Sequence, residues 1–270
     1  MRMNIALVRL GIALGALVLT AEPVLAANTP MPTDPMPSKA DQQAAVQRVA
    51  AVGVPIYRAG HQKRYVALTF DDGPGPGTVK VMDEMRRYGF RATFFTNGKN
   101  FAKWPETLKR EARDQSLGDH TWSHHYLPGL PVPQQISQVS TSVAASERIT
   151  GTPVMLFRSP YGASTGAVQN WLNQKRMLQV LWTQDSRDSL GASWTEILRR
   201  SEEFITPGSI ILLHENRGQT VKAVNRLLPE IRRRGFKAVT VPELLAQNPP
   251  DLVQVRSDAG LRAGTRTGRH

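Results

Sequence analysis

The pattern of apolar and polar positions between residues 65 and 241 alternates between two periods. Short runs rich in β-branched and aromatic residues are typical of strands. The stretches between them repeat apolar residues at three- and four-residue spacing, as in residues 221–231, which predicts amphipathic helices. Strands that alternate with helices indicate a parallel sheet, and several such units favour a barrel or a doubly wound sheet. The runs predicted as strands are 65–70, 92–95, 156–159, 179–183, 209–213 and 237–241.

The flanks of this region lack such periodicity. Residues 1–26 combine two arginines, an apolar stretch and small residues before residue 27, a pattern that predicts a secretory signal peptide. The apolar stretch, residues 10–21, is shorter than the roughly 20 residues that a membrane-spanning helix needs. Residues 27–61 are predicted to form a Pro-rich linker, and residues 248–270 a basic, disordered tail. We therefore expect one folded domain, residues 62–247, in a protein that is secreted or associated with the periplasm or cell wall.

The composition places the chain among globular proteins and limits its chemistry. Hydrophobic residues make up 40% of the 270 residues and charged residues 21%, which excludes a collagen, a coiled coil and a disordered polyelectrolyte. Because the chain has no cysteine, it forms no disulfide, no thiolate metal site and no Cys nucleophile. Its formal net charge of +12 favours an anionic partner, which on charge alone is a nucleic acid, an anionic envelope surface or an acidic substrate.

Polar side chains stand at the carboxyl ends of four predicted strands. The first run is followed by Asp71 and Asp72, and the third run contains Arg158. Asp185 follows the fourth run, and His214 follows the fifth. In barrels and doubly wound sheets, the carboxyl ends of the strands carry the active site. These five side chains are therefore expected to converge on one face.

Two histidines offer metal ligands. His120 and His124 are four residues apart, so on a helical turn they would share a face and bind one metal ion through two imidazoles. This spacing alone is a weak signal, since a solvated turn shows it too. The pair Asp71 and Asp72 strengthens it, because catalytic zinc sites commonly use two histidines and one carboxylate and leave a position open for water. One aspartate would then be the ligand and its neighbour the base.

Five segments carry a resemblance to a known family. They are Thr69–Pro74 (TFDDGP), His120-x-x-x-His124, Arg158-x-Pro160-Tyr161, Asp185-x-x-Asp188 and Leu212-x-His214. In this order they resemble the motifs of the polysaccharide deacetylase family, also called the NodB-homology family or carbohydrate esterase family 4. The resemblance covers residues 65–245. It implies an α/β fold, namely a distorted, incomplete (β/α) barrel of about seven strands, similar to a TIM barrel, in a single catalytic domain.

The resemblance implies a site with one divalent metal ion, usually zinc, held by Asp72, His120 and His124. Asp71 is implied as the general base that takes a proton from the attacking water, and His214 as the general acid that protonates the departing amine. The residue types agree with these roles. A bound divalent metal lowers the pKa of water toward about 7, and a neighbouring carboxylate then accepts its proton.

Other residues are implied to support the base and the acid. Asp185 is implied to keep the His214 imidazole charged and oriented, and Arg158 to steady Asp71. The last motif of the family is often followed by Asp, whereas this chain has Glu215. That departure touches neither a metal ligand nor the base or acid.

Two residues are implied to contact the substrate, and a third is a candidate from its position. The backbone amide of Tyr161 would stabilise the oxyanion, and Leu212 would line the acetyl pocket. Trp122, between the two histidines, is the best candidate for an aromatic wall of a glycan groove. The family commonly has Trp after its Asp-x-x-Asp motif, but this chain has Ser189, so the shape of the sugar subsites is expected to differ.

We therefore predict a secreted, metal-dependent hydrolase that removes N-acetyl groups from a glycan containing N-acetylglucosamine, such as peptidoglycan, chitin or an exopolysaccharide. Two alternatives are an O-acetyl esterase acting on xylan-like glycans and a non-catalytic protein that binds the cell wall. Attraction to an anionic cell envelope suits the net charge better than nucleic acid does. No stripe of exposed apolar residues is evident, so a monomer is expected.

A serine hydrolase is a competing hypothesis. Ser164 lies in a Gly-x-Ser-x-Gly sequence, and Asp185 and His214 follow it in the order of the α/β-hydrolases. Against it, the Asp pair and the two spaced histidines would have no role, and Ser164 or Thr165 is better explained as the N-cap of the next helix. A non-haem iron site with the same two-histidine, one-carboxylate set would leave His214 unexplained.

Overall fold

A computed structural model describes residues 29–266. The strands are β1 (Tyr65–Gly73), β2 (Thr93–Thr96), β3 (Ser116–Asp119), β4 (Leu156–Phe157), β5 (Leu178–Gln179), β6 (Gln184–Asp185), β7 (Ile210–His214) and β8 (Lys237–Ala238). The helices are α1 (Lys39–Ala50), α2 (Thr78–Arg87), α3 (Pro105–Asp114), α4 (Val132–Thr150), α5 (Gly166–Gln174), α6 (Trp194–Glu202), α7 (Gly218–Arg233), α8 (Val241–Gln247) and α9 (Leu252–Arg266). No helix in this part of the chain has the length and apolar character needed to cross a membrane.

The strands form one parallel sheet that curls into an incomplete barrel. The strand order is β5-β4-β3-β2-β1-β7-β6, and β8 pairs with the first residues of β1. β1 is central, because it pairs with β2 on one side and with β7 on the other. The predicted fold class, a distorted (β/α) barrel of about seven strands in a single domain, is confirmed.

Alternate residues of β1 pack on opposite sides of the sheet, as the period of a strand requires. Val66, Leu68 and Phe70 share an apolar cluster with residues of α2 and α7. Tyr65 and Ala67 belong to a second cluster, which gathers residues of β2, β4, β5 and β7 inside the curl of the sheet. Both sides of β1 are thus buried, which explains its nearly continuous apolar run.

The sequence prediction missed β3, the strand that directly precedes His120. β3 has the sequence SLGD, in which Gly, Ser and Asp have low strand propensity. Its four residues nevertheless pair in register with β2. A Cβ on Gly118 would overlap the ring of Phe95, so close packing against the neighbouring strand requires glycine here. Tertiary pairing, rather than local preference, forms this strand.

The predicted linker at residues 27–61 is wrong for its second half. Ser38 and Asp41 form a reciprocal capping box that starts α1. Val46 and Val49 of this helix are fully buried and join the inner cluster. After the helix, Ile56 exchanges backbone hydrogen bonds with the segment that follows β5, with N···O distances of 2.8 and 3.0 Å. Arg58 also pairs with Ser209, the residue before β7, so this segment bridges the residues next to β5 and β7. The prolines before α1 thus concealed a packed element.

The predicted disordered tail from residue 248 is also wrong over most of its length. Asp251 accepts a hydrogen bond from the Val253 amide at 2.8 Å and so caps the start of α9. Val255 and Ala259 of this helix are buried against the body of the domain. The domain therefore extends beyond both predicted boundaries. The predicted signal peptide, residues 1–26, lies outside the described residues.

Candidate metal centre and active site

A bulge at the end of β1 turns two successive carboxylates toward the same imidazole. In a regular strand the side chains of Asp71 and Asp72 would point to opposite faces. The pairing of β1 with β2 shifts register at this point, and Asp72 has a left-handed φ of 75°. As a result, Asp71 Oδ2 lies 3.6 Å and Asp72 Oδ1 3.9 Å from Nε2 of His120. The bulge thus creates the adjacent pair of acids that the chemistry needs.

Asp72, His120 and His124 form a group that can hold a metal ion. One candidate ligand atom from each residue lies within 4.8 Å of the others, and Asp72 Oδ1 is 3.5 Å from His124 Nε2. His120 Nδ1 lies 2.7 Å from the carbonyl oxygen of Arg158, which can only accept a hydrogen bond. Nδ1 therefore donates this hydrogen bond, and Nε2 is the nitrogen that faces the two aspartates. This is the usual arrangement of a metal-binding histidine.

The two histidines meet in a loop and not on the helical turn that their spacing suggested. Thr121 and His124 both have left-handed φ angles, 68° and 61°. The loop is held by its own hydrogen bonds: the Thr121 amide donates to Asp119 Oδ2 at 3.1 Å, and the His124 amide donates to Thr121 Oγ1 at 3.1 Å. The two imidazole centroids are 4.9 Å apart.

The surroundings of His124 favour its neutral form. Burial lowers the pKa of His124 to about 4, His120 adds to the effect, and the charges of Asp72 and Asp71 only partly oppose it. A histidine that is neutral at neutral pH needs to lose no proton before it binds a cation. The electrostatics of this loop therefore suit metal binding.

Arg158 is fully buried, and its guanidinium donates four hydrogen bonds. It donates to Asp71 Oδ1 at 2.7 Å and to Thr69 Oγ1 at 2.8 Å from Nη1. Its other nitrogens donate to the carbonyl oxygens of Val180 and Leu181, at 3.0 and 3.1 Å. Burial lowers the pKa of Arg158 and Asp71 opposes this shift, but a guanidinium stays charged in either case. The position of one Asp71 oxygen is fixed, and Oδ2 remains directed at His120.

The Asp188 carboxylate holds His214 through two hydrogen bonds. Its Nδ1 donates to Asp188 Oδ1 at 2.7 Å, and its backbone amide donates to Asp188 Oδ2, also at 2.7 Å. Thr220 Oγ1 donates to the same oxygen at 2.5 Å. Burial alone would lower the pKa of His214, but the hydrogen bond and charge of Asp188, with the charges of Asp71 and Asp72, outweigh it and raise the pKa to about 9. His214 is therefore a cation at neutral pH.

The prediction that Asp185 orients His214 is wrong. Asp185 lies in β6, and its Oδ1 accepts a hydrogen bond from the Arg187 amide at 2.7 Å. Arg187 has a left-handed φ of 61°, which turns the chain so that Asp188, three residues after Asp185, faces the imidazole. The spacing of the two acids was read correctly, but the local turn decides which of them contacts His214.

Of the predicted substrate contacts Tyr161, Leu212 and Trp122, only the Tyr161 ring contacts a candidate metal ligand directly. Tyr161 has a left-handed φ of 57°, and its ring meets the ring of His124 edge-on at 4.8 Å. Leu212 is buried in β7 two residues before His214, so both side chains belong to the same face of the strand. Trp122 is partly exposed and covers Gly98, where any Cβ would overlap its ring.

The serine hydrolase arrangement is not assembled. Ser164 Oγ is buried without a hydrogen-bond partner among the described residues. Thr165 caps α5, as predicted, by accepting the Val168 amide at 3.3 Å. The Nδ1 atom of His214 contacts Asp188, and that acid lies outside the predicted serine triad.

Sequence reasoning missed the residues that hold the loop after β1. Asn100 Nδ2 donates to the carbonyl oxygens of Asp72 and Gly73 at 2.9 and 3.1 Å, and Asn216 Nδ2 donates to the Asp72 carbonyl at 3.1 Å. Glu215 is fully buried beneath the loop, where a Cβ on Gly73 would overlap its carboxyl group. The available signal was the position of residues 215–216 directly after His214. Residues next to a functional residue at a strand end are candidates for contacts with the same site.

Burial raises the pKa of Glu215 to about 8, and the charges of Asp72 and Asp71 act in the same direction, although a hydrogen bond from the Thr78 hydroxyl opposes them. The Glu215 carboxyl group is therefore largely protonated at neutral pH. A neutral group at this position adds no further negative charge beside the aspartates. Glu215 thus contributes a buried carboxyl group under the first motif.

Comparisons with known proteins identify the family to which this fold belongs. The polysaccharide deacetylase family matches residues 58–180. A peptidoglycan-N-acetylglucosamine deacetylase from Bacillus cereus is 32% identical over 200 residues, covering 72% of this chain and 93% of the relative. A chitin deacetylase from Colletotrichum lindemuthianum is 31% identical over 218 residues, covering 75% and 88%. A crystal structure of a peptidoglycan N-acetylglucosamine deacetylase superposes with a TM-score of 0.66 at 30% identity, covering 70% of this chain and 91% of that one. This chain therefore belongs to the polysaccharide deacetylase family and is an enzyme of that class.

Proposed function

We propose that this polysaccharide deacetylase is a metal-dependent hydrolase that removes N-acetyl groups from a glycan containing N-acetylglucosamine. One observation carries the proposal: Asp71 and His214 are register partners on β1 and β7, and both stand beside the group formed by Asp72, His120 and His124. A carboxylate base and a protonated imidazole acid thus face one candidate metal centre. The relatives from Bacillus cereus and Colletotrichum lindemuthianum, which are named for peptidoglycan and chitin, support the class of substrate.

Asp72, His120 and His124 would hold one divalent ion, and their mixture of imidazole and carboxylate suits zinc. The hydrogen bond from His120 Nδ1 and the lowered pKa of His124 leave both imidazoles ready to bind. When bound, such an ion acts as a Lewis acid that activates water and polarises the acetyl carbonyl.

Asp71 would be the general base. Arg158 occupies its Oδ1, so Oδ2 is the atom that accepts the proton of the attacking water. Because the Arg158 guanidinium is bound by Thr69 and two backbone carbonyls as well, Asp71 is held in one orientation. Such a fixed geometry lowers the cost of reaching the transition state.

His214 would be the general acid. Its Nδ1 is engaged by Asp188, so Nε2 is the atom that donates a proton to the departing amine nitrogen. Its raised pKa keeps that proton in place at neutral pH. An amine is a poorer leaving group than an alkoxide and therefore needs protonation more. A general acid that keeps its proton at neutral pH thus fits an amide substrate better than an ester. The Tyr161 amide would donate to the oxyanion, and Leu212 would contact the acetyl methyl group.

The site of action would be outside the cytoplasm. The relative from Bacillus cereus is named for peptidoglycan, and residues 1–26 have the pattern of a cleaved signal peptide. The signal segment contributes only +1 of the net charge of +12, so the exported enzyme would remain basic and be attracted to an anionic cell envelope. We expect it to act as a monomer.

The test measures the acetate that the enzyme releases from chitin oligomers, peptidoglycan and acetylxylan. Each substrate is tested with the untreated enzyme, after chelation, and after zinc is restored. We expect release from the N-acetylated glycans, loss with chelator and recovery with zinc. Asp71→Asn should abolish release and still bind zinc. Faster release from acetylxylan would favour the O-acetyl esterase, and glycan binding without any release would favour a non-catalytic binding protein. Release that survives chelation would contradict the metal assignment.

A further inference from the structure

Two exposed tyrosines stand side by side next to the candidate metal centre. Tyr161 is 63% exposed and Tyr126 is 46% exposed. Their ring centroids are 6.1 Å apart with an interplanar angle of 62°, and the Tyr161 ring also contacts the ring of His124. The aromatic surface therefore runs without a break from a candidate metal ligand to Tyr126.

The exposed aromatic side chains are confined to the loops around the candidate metal centre. In the part of the chain that the structure describes, the exposed large hydrophobic side chains fall into two groups. The aliphatic ones are spread over several elements, namely Val79, Val132, Leu190, Val253 and Leu261. The aromatic ones, Trp122, Tyr126 and Tyr161, all lie in the loops that carry His124 and the predicted oxyanion amide. Exposed aromatic residues concentrated at one site indicate binding.

The backbone beneath Tyr126 is anchored by burial, a hydrogen bond and two prolines. The next residue, Leu127, is fully buried, and the Gly129 amide donates to the Tyr126 carbonyl at 3.1 Å. The loop continues through Pro128 and Pro131, whose φ angles are fixed by their rings. A ring presented on such a loop loses little conformational freedom when it binds a ligand. Tyr126 is thus preorganised although it is exposed.

The chemistry of this surface suits a sugar ring. A tyrosine offers an apolar face and a hydroxyl at its edge, so it packs against an apolar surface while its rim stays hydrated. A pyranose has the complementary form, with C–H groups on its faces and hydroxyl groups around its rim. At the position after Asp188, where the family commonly has Trp, this chain has Ser189, which offers no ring for such a contact.

We propose that Tyr126, together with Tyr161, forms a subsite for the sugar that neighbours the acetylated residue in the glycan chain. The inference rests on the proposed function, because it places an N-acetylated sugar at the metal centre. Tyr126 would determine affinity for chains over single sugars. It would not take part in the reaction itself.

The test is the affinity for the tetramer of N-acetylglucosamine. Zinc-loaded Asp71→Asn protein, which should not consume the ligand, is titrated by calorimetry with and without Tyr126→Ala. We expect Kd to rise about tenfold when the ring is removed, which is the size of an ordinary aromatic contact. Tyr126→Phe should stay within about twofold of the parent, whereas Tyr126→Leu, which keeps bulk without a ring, should lose most of the affinity. In the active enzyme the loss should fall on KM rather than on kcat.

Controls separate this inference from the proposed function. Val253→Ala removes an exposed apolar side chain on α9 and should leave Kd unchanged. Thermal unfolding shows whether each variant is folded. Equal tetramer affinity in Tyr126→Ala and the parent, or no tetramer binding by the parent, would overturn the subsite. Absence of acetate release by the unmodified enzyme would instead count against the proposed function, and the binding comparison would still decide the role of Tyr126.

Discussion

Asp188 holds His214 twice, once through the imidazole Nδ1 and once through the backbone amide, each at 2.7 Å. One carboxylate thereby sets both the position of the strand end and the charge of the side chain. Burial, acting alone, would raise the pKa of Asp188, but the His214 and Thr220 hydrogen bonds lower it, so the acid is ionised and able to support the imidazolium. The pair is the part of the site with the clearest consequence for pH dependence.

Asp188→Asn is expected to move the alkaline limit of activity. His214 has a raised pKa, so its acid form is present below about pH 9 and is lost as the pH rises through that value. Without the carboxylate, the pKa should fall toward the ordinary value of about 6.5, and kcat/KM should decline from a lower pH. At pH 8 the protonated fraction of His214 would fall from about nine-tenths to about one-thirtieth, so we expect kcat/KM to fall roughly 30-fold. The measurement is the pH profile of kcat/KM on a chitin oligomer.

Asp185→Asn is the matched control for this prediction, because Asp185 has the same chemistry three residues earlier and contacts the Arg187 amide instead. Its pH profile should keep the alkaline limit of the parent. An equal displacement in both variants would show that the two acids act together on His214.

Arg158→Met is expected to destabilise the fold as well as the site. The substitution leaves the buried Asp71 carboxylate and the carbonyls of Val180 and Leu181 without their donor. Breaking one side of a buried ion pair costs about 3–5 kcal/mol of unfolding free energy, which urea denaturation would measure. The exposed pair Arg113–Asp114 provides the control. Arg113→Met should leave the urea midpoint unchanged, and a similar effect of both substitutions would refute the special role of Arg158.

Asn100→Ala is expected to weaken metal binding without removing a ligand. Asn100 holds the carbonyl groups of Asp72 and Gly73, in a turn where Asp72 has a left-handed φ. Loss of a residue that orients a ligand typically reduces metal affinity about 10- to 100-fold. Competition with a zinc chelator gives the Kd. Asn173→Ala, at an exposed position on α5, is the control and should leave this Kd unchanged. An unaltered Kd in Asn100→Ala would show that the bulge keeps its conformation without the Asn100 hydrogen bonds.

Val46→Ala tests whether α1 is part of the folded domain. Val46 is fully buried between α1 and the inner cluster, so its truncation should reduce the free energy of unfolding by about 2 kcal/mol. The exposed Val253 on α9 is the control, since Val253→Ala removes the same atoms from a solvated surface. If residues 27–61 were a linker, both substitutions would have the same negligible effect on urea denaturation.

Much of the site could be predicted because its chemistry is encoded locally. The apolar run of β1 ends directly in Asp71 and Asp72, and the run of β7 ends in His214, so parallel pairing of these strands brings acid and base candidates to one edge. His120 and His124 were identified by spacing, although the loop between them proved to be held by left-handed residues rather than by a helical turn.

The sequence by itself determined the residue types and their order along the chain, and with them the family, the strand ends and the candidate metal ligands. Only the tertiary structure decided that Asp188 rather than Asp185 supports His214, that α1 and α9 belong to the domain, and that Tyr126 stands beside Tyr161. The physical reason is the range of the interactions. A motif records neighbours along the chain, whereas the partner of a buried charge or ring depends on turns such as that at Arg187 and on contacts between segments distant in sequence.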